Sequence, residues 1–405
     1  MNDHQENSNG ALDGVRIVDL SRVLAGPLST QMLADHGAEV IKVEPPAGDE
    51  TRGWGPPFHG EDASYFTALN RNKRDITVDL SRPEGCEILF RLLEDADVLV
   101  ENFKPGTLEK WGIGFDAVLS TRFPRLIHCR VASYGDEGPL AGFPGYDGMV
   151  QAWAGLMDLN GLAGSGPMRL GIPVVDIVTA HNAAIGVLLA LNERATSGRG
   201  QSIEVALYDV GLSMLLAYAA SWFDTGQPAK RTGNNNPLTA PYGVFKTKTV
   251  SISLAANNNR AFEKLCVALG MPELVGRPEF ASNKARLENQ DELNRRIGER
   301  TQVYDGLELA QHLMRSGLPA GAVMSVGEAL SHPQTTARGR VAQIGKYRGV
   351  APPVRLSRTP PSVRRAPPKY SEHSHAILTE LGYSAAEIDG LVNSGVAPAK
   401  RNPAG

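Results

Sequence analysis

From Leu12 onward the chain alternates short, β-rich apolar runs with stretches of helical period. The runs Val15–Leu20, Glu39–Glu44, Asp75–Leu80, Asp97–Glu101, Arg125–Ala132 and Ser202–Leu207 read as strands. Helical segments fall between them: Leu28–His36, closed by Gly37, and a stretch opened by Ser81-Arg82-Pro83-Glu84 that runs to Ala96. A short one follows Pro105-Gly106, and a long Ala-rich one runs from about Ile177 to Arg194. Ser81 reads as a cap, Pro83 suits the first turn, and Glu84 takes the capping-box position. Leu170–Val175 reads as one more strand, leading directly into Asp176 and the long helix. Strands alternating with helices at this spacing predict βαβ units and a parallel sheet. The expected class is therefore α/β.

The alternation changes near Asp224. Residues 224–241 are polar and turn-rich and read as a linker; 242–326 suit a smaller α+β domain. The proline-rich Ala351–Lys369 predicts an extended strap, because proline blocks helix and central strand alike. A helix pair follows from about His373, so 327–405 is expected to return to the large domain begun at 12–223, with 1–11 a disordered tail. At 405 residues the chain exceeds the size at which single cores stop growing, which agrees with one large and one smaller domain.

Charge narrows the partners. A net charge of −3 gives no global basic field, so neither nucleic acid nor an anionic membrane is an expected partner. The longest apolar run, Val210–Phe223, is too short to cross a bilayer and reads as a buried helix. Cys86, Cys129 and Cys266 lie far apart, and the polar N-terminus lacks the order of a signal peptide; cytoplasm is the expected compartment. The histidines show no HExxH spacing, so no metal is expected. No GxGxxG, GxSxG or P-loop pattern is present, which disfavours dinucleotide, serine-hydrolase and P-loop chemistry.

Two features could carry chemistry. Asp176 heads the long helix, where an aspartate serves equally as a cap or as a carboxylate held ionised by the helix dipole. The run Asn70-Arg71-Asn72-Lys73-Arg74 stands just before a strand, and Lys104 and Lys110 flank a strand-end loop. These cations are either solvated surface charge or a phosphate site, with Arg71 and Lys73 the candidates in the run. Tyr146-Asp147, after Gly142-Phe143-Pro144-Gly145, reads as a turn.

Several ordered motifs resemble the class III CoA-transferase family. They are Leu12–Pro27 (LDGVRIVDLSRVLAGP), Gly37–Glu44 (GAEVIKVE), Asn70–Arg74, Val100–Phe103, Gly145–Asp147, Pro173–Asp176, Gly198–Gln201, Pro319–Gly321, His332–Gln334 and Leu381–Tyr383. The resemblance implies a large Rossmann-like doubly wound domain with a smaller α+β domain, in an interlocked, ring-like homodimer. It implies coenzyme A as substrate and no tightly bound cofactor. The family's nucleophilic aspartate falls on Asp176, and its CoA contacts on Val23, Leu24, Ala25, Val78, Asp79, Leu80, Ser81, Asn102, Phe103, Lys104 and Lys110. The chain departs at Pro45, where the family often has an arginine for the CoA nucleotide; Arg52, Arg71 or Lys73 would have to replace that charge. Racemases of the same family place a histidine where this chain has Tyr146, and a tyrosine, with a reference pKa of about 10, is a poor proton-transfer partner. Trp54–Phe58 and Ala240–Lys248 look most like members that use succinyl-CoA and a dicarboxylic acid, although Asn234–Asn236 stands where those relatives usually carry a histidine. The resemblance thus implies CoA transfer from an acyl-CoA to a small carboxylic acid through an aspartyl-CoA intermediate. An isomerase and an idle CoA-binding protein are the alternatives.

Overall fold

The computed structural model describes residues 10–401. Most of the expected 1–11 tail lies outside them, while Gly10 is tied in, its carbonyl accepting from the Asp13 amide (3.1 Å). Two compact units divide the chain. The first takes in residues up to Leu156, Leu170–Ala217 and everything from Gly339; the second takes in Met157–Arg169 and Tyr218–Arg338. The second unit therefore starts earlier and ends later than the 242–326 expected from composition. Its short early excursion is fastened by Arg231, whose guanidinium donates to the Asp158 carboxylate (2.6 Å) and the Ser165 carbonyl (3.1 Å).

The first unit is built on six strands: β1 (Arg16–Asp19), β2 (Glu39–Glu44), β3 (Lys73–Thr77), β4 (Val98–Glu101), β5 (Ile127–Ala132) and β6 (Ser202–Ala206). They lie in the order β3-β2-β1-β4-β5-β6, with every neighbouring pair parallel. This is the doubly wound Rossmann order, whose direction reverses between β1 and β4. Helices α1 (Ala25–Asp35), α2 (Pro83–Glu94), α3 (Asp147–Trp153) and α4 (Val174–Ser197) accompany the sheet. Successive residues of a strand face opposite ways, and two cores form accordingly. Val18, Val43 and Leu99 meet Ile88, Leu89 and Leu92 of α2 on one face. Ile17, Val40, Val98 and Val100 meet Leu33 of α1 and Val175, Ala183 and Val187 of α4 on the other. By length and composition α4 is apolar enough to cross a bilayer; here the small residues Ala183, Ala184 and Ala190 let it pack into the second core.

The second unit is α+β. Strands Tyr242–Phe245, Ile252–Ala255 and Ala320–Ala322 form an antiparallel sheet, and Leu254, Phe262, Leu265, Leu293 and Leu313 fill the core between it and its helices.

Three local expectations need correction. Leu170–Val175 is not a strand; it pairs with no other strand, and the Leu170 amide goes to the Gln151 side chain (2.8 Å) instead. Ser81 does not cap α2. The cap position is Arg82, and the Ser81 hydroxyl turns back to the Asp79 carboxylate (2.6 Å). Val210–Phe223 is neither one helix nor buried: the chain breaks at Leu216, in the left-handed region at φ 42°, and Phe223 is 83% exposed.

A chain of buried charges runs beneath the β1 and β2 ends. Asp19 accepts from Lys73 (3.0 Å) and Thr30 (2.6 Å); Lys42 donates to Asp49 (2.9 Å) and to the Ser21 carbonyl (2.8 Å). Arg52 grips Glu44 with two nitrogens (2.6 and 2.9 Å) and stacks 3.7 Å above the Phe66 ring. Burial pushes the Glu44 carboxyl up, but Arg52 outweighs it and holds the group at about 2. Asp75 goes the other way: burial and then the neighbouring Glu44 raise it well above the usual carboxylate range. The two carboxyls should therefore respond differently to amide substitution. Glu44→Gln removes a paired charge and leaves Arg52 underpaired, at an expected cost of about 3 kcal/mol. Asp75→Asn, replacing a carboxyl that burial and Glu44 already push toward its protonated form, should cost less, about 1 kcal/mol. Chemical denaturation of both variants checks this, and equal losses would refute the assignment.

Candidate active site

In a doubly wound sheet, ligands lie beyond the strand ends where the order reverses. Here that point falls between β1 and β4, and the loops that follow them, Arg22–Leu24 and Asn102–Pro105, form walls of one cavity of about 210 Å³. Residues 130–135, at and after the end of β5, the Gly142–Tyr146 loop and Asp176 add to the lining, with Ala25, Glu50 and Leu207. Asn102 ties the two loops together: its side chain accepts from the Arg22 amide (2.9 Å) and donates to the Arg22 carbonyl (2.8 Å). Asp49, anchored by Lys42, accepts from the Val23 amide (3.5 Å).

Asp176 sits in the first turn of α4 and is only 9% exposed. The amides of a helix start attract an anion, but here a different carboxylate takes them. Oδ2 of Asp147, at the head of α3, accepts from the Val175 amide (2.8 Å) and the Asp176 amide (3.3 Å). Its Oδ1 accepts from Gln151 (2.5 Å). The flanking amides are also occupied, that of Val174 by the Ile172 carbonyl and that of Ile177 by the Pro173 carbonyl. Asp176 therefore receives no help from its own helix start. Burial raises its carboxyl, Asp147 raises it further, and it reaches about 7. The expectation that the dipole keeps Asp176 fully ionised is thus corrected: desolvation and a like charge outweigh the dipole. The same geometry leaves the first amides of α4 without capacity to stabilise an oxyanion.

The structure gathers Val23, Leu24, Ala25, Asn102, Phe103, Lys104, Tyr146 and Asp176 around the one cavity. Arg71 and Lys73 are not there. Arg71 forks onto Asp35 (2.6 and 2.8 Å), and Lys73 is fully buried against Asp19 and the Pro27 carbonyl (2.8 Å). Both cations hold the fold together and have no face left for a phosphate; Arg52 is likewise consumed by Glu44 and Asp62. Val78 and Leu80 belong to the hydrophobic core, whereas Asp79, Ser81 and Lys110 lie outside the cavity wall, Ser81 and Lys110 exposed. Among the described residues, no three His, Cys, Asp or Glu side chains are grouped to hold a metal ion.

Sequence reading missed three residues. Asp147 reads as part of a turn, although an aspartate opening a short helix is a usable signal for a capping carboxylate. Tyr65 gave no signal. Its hydroxyl is raised to about 12 by burial and then by the Asp176, Asp147 and Asp49 charges. Arg22 lines the cavity one residue before the positions singled out.

The family model described as CoA-transferase family III matches residues 12–374. The chain is 40% identical to a succinate–glutarate CoA-transferase of Agrobacterium fabrum, over 93% of this chain and 96% of that one. It is 36% identical to the human succinyl-CoA:glutarate CoA-transferase, over 96% of this chain and 90% of that one. A CAIB/BAIF family protein from Brucella suis has a similar crystal structure, with a TM-score of 0.86 and 40% identity over 92% of this chain and all of that one.

A carboxyl raised from 3.8 to about 7 on folding destabilises the fold when ionised. The folded state keeps its proton as pH climbs while the unfolded state loses it, so the cost grows from about pH 4 to 7 and then levels. Asp176→Asn should abolish that cost, stabilising the protein above pH 7 by on the order of 2–4 kcal/mol, with the gain vanishing near pH 4. Denaturation midpoints of both proteins across that range check it; a gain independent of pH would refute it.

Proposed function

The chain belongs to CoA-transferase family III, and from that premise we propose that it moves CoA from succinyl-CoA to a dicarboxylic acid through a covalent intermediate on Asp176. The carrying observation is that the Asp176 carboxylate shares its cavity with the loops after β1 and β4, where an open parallel sheet receives ligands. The substrate pair is carried over from relatives named for succinate and glutarate.

In the proposed cycle an oxygen of ionised Asp176 attacks the thioester carbonyl of succinyl-CoA. The C–S bond breaks, giving a mixed anhydride and CoA thiolate. The thiolate then attacks the aspartyl carbonyl, forming aspartyl-CoA and releasing succinate. The acceptor carboxylate attacks this thioester to give a second anhydride, and thiolate returns to the acceptor's carbonyl, regenerating Asp176. The cycle as a whole exchanges one CoA thioester for another of similar energy, so neither ATP nor a metal is needed. Splitting one hard displacement into easier ones is the catalytic gain. A carboxyl near 7 is a stronger nucleophile when ionised than an ordinary one, and about half of it is ionised at neutral pH.

The racemase reading is disfavoured by Tyr146, a half-exposed phenol where a histidine base would be required. We also propose that two copies assemble, since Ile185, Leu188 and Leu189 of α4 are large, apolar and exposed. The three buried, unpaired cysteines suit the reducing cytoplasm as the compartment.

Incubating the protein with succinyl-CoA and digesting it should yield a peptide carrying CoA mass on Asp176. Asp176→Ala should lose at least about 10⁴-fold in transfer to glutarate while binding CoA within a few-fold of wild type. The value of kcat/KM should rise with pH and level off above about 7. Substantial transfer by Asp176→Ala would end the assignment.

A further inference from the structure

Two arginines line the cavity, and only one of them is spent. Arg130 is ion-paired with Asp136 and Glu204. Arg22 makes no ion pair among the described residues, and its Nε is shut off from solvent with no acceptor. A desolvated guanidinium nitrogen left without an acceptor is unfavourable until a ligand supplies one. The residue is not merely loose surface charge. One amide side chain, that of Asn102, holds both its backbone N–H and its carbonyl, and its guanidinium carbon stands 5.9 Å from the centre of the Phe103 ring. The next residue, Val23, has φ 70°, a left-handed conformation that a β-branched residue adopts only when its surroundings impose it. The chain thus accepts local strain to keep this loop in one shape at the cavity wall.

We propose that Arg22 is a binding residue for an anionic oxygen group of the substrates, either a phosphate of CoA or the free carboxylate of the dicarboxylic acid. The guanidinium presents a planar fork of donors matched to both groups. This rests on the reading that the cavity admits an acyl-CoA and an acid. It also supplies a cavity cation in a chain whose Arg71 and Lys73 are locked inside the fold.

The test uses full-length wild-type protein, Arg22→Lys and Arg22→Met, titrated calorimetrically with CoA and, at saturating CoA, with succinate. In parallel, wild-type protein is treated with phenylglyoxal in the absence and presence of each ligand, and modification of Arg22 is read by peptide mass. Arg22→Met should weaken one ligand at least tenfold and leave the other within twofold, with Arg22→Lys in between. The affected ligand should also shield Arg22. A loss confined to CoA assigns the phosphate; a loss confined to succinate assigns the carboxylate. The inference is overturned if Arg22→Met binds both ligands within twofold of wild type. It is equally overturned, should that variant fail to fold, if neither ligand shields Arg22. Failure of the Asp176 intermediate would show separately, as the absence of a CoA-bearing Asp176 peptide.

Discussion

The Asp147 carboxylate on the amides of Val175 and Asp176 is the contact on which the site depends. A helix start has few free amides, and two carboxylates here compete for the same ones. Asp147 wins them, together with the Gln151 side chain, and becomes the settled anion. Asp176 is left buried, beside a like charge and without dipole support, which is why its carboxyl stands at about 7 instead of near 4. One carboxyl is thereby settled on the helix start, and the other is left with a raised hold on its proton.

The rest of the first unit serves to hold the cavity's other walls. The loop after β1 is fixed from below by Lys42 on the Ser21 carbonyl and by Asp49 near the Val23 amide, and from the side by Asn102. Those anchors are part of the buried charge chain through Asp19, Lys73, Glu44 and Arg52, whose members are mutually satisfied. Buried ion pairs add little net stability over apolar packing; here they fix a strained loop in register.

Much of the fold was legible because a parallel sheet leaves short apolar runs that periodicity detects, and five of the six strands fell within two residues of expectation at each end, β3 running earlier than predicted. The Leu170–Val175 run misled because an apolar stretch before a helix reads the same whether it pairs with a strand or donates its amides to side chains. The cations at 70–74 misled for a different reason. Composition records charge, not direction, and the turn into β3 sends Arg71 and Lys73 inward to Asp35 and Asp19 while Arg74 reaches Glu380 at the surface. Asp176 itself was ambiguous from its position and became a nucleophile candidate only through resemblance. Asp147 acts on it through space across a long sequence separation, and no local pattern announces such a coupling.

The most direct measurement is the titration of the Asp176 carboxyl itself, followed by carbon NMR of protein labelled at aspartate carboxyls and assigned by the Asp176→Asn spectrum. The account predicts a midpoint near 7 in the wild-type protein, moving down toward the ordinary range when Asp147 is replaced by asparagine. A midpoint near 4 in the wild-type protein, or one indifferent to Asp147, would contradict it.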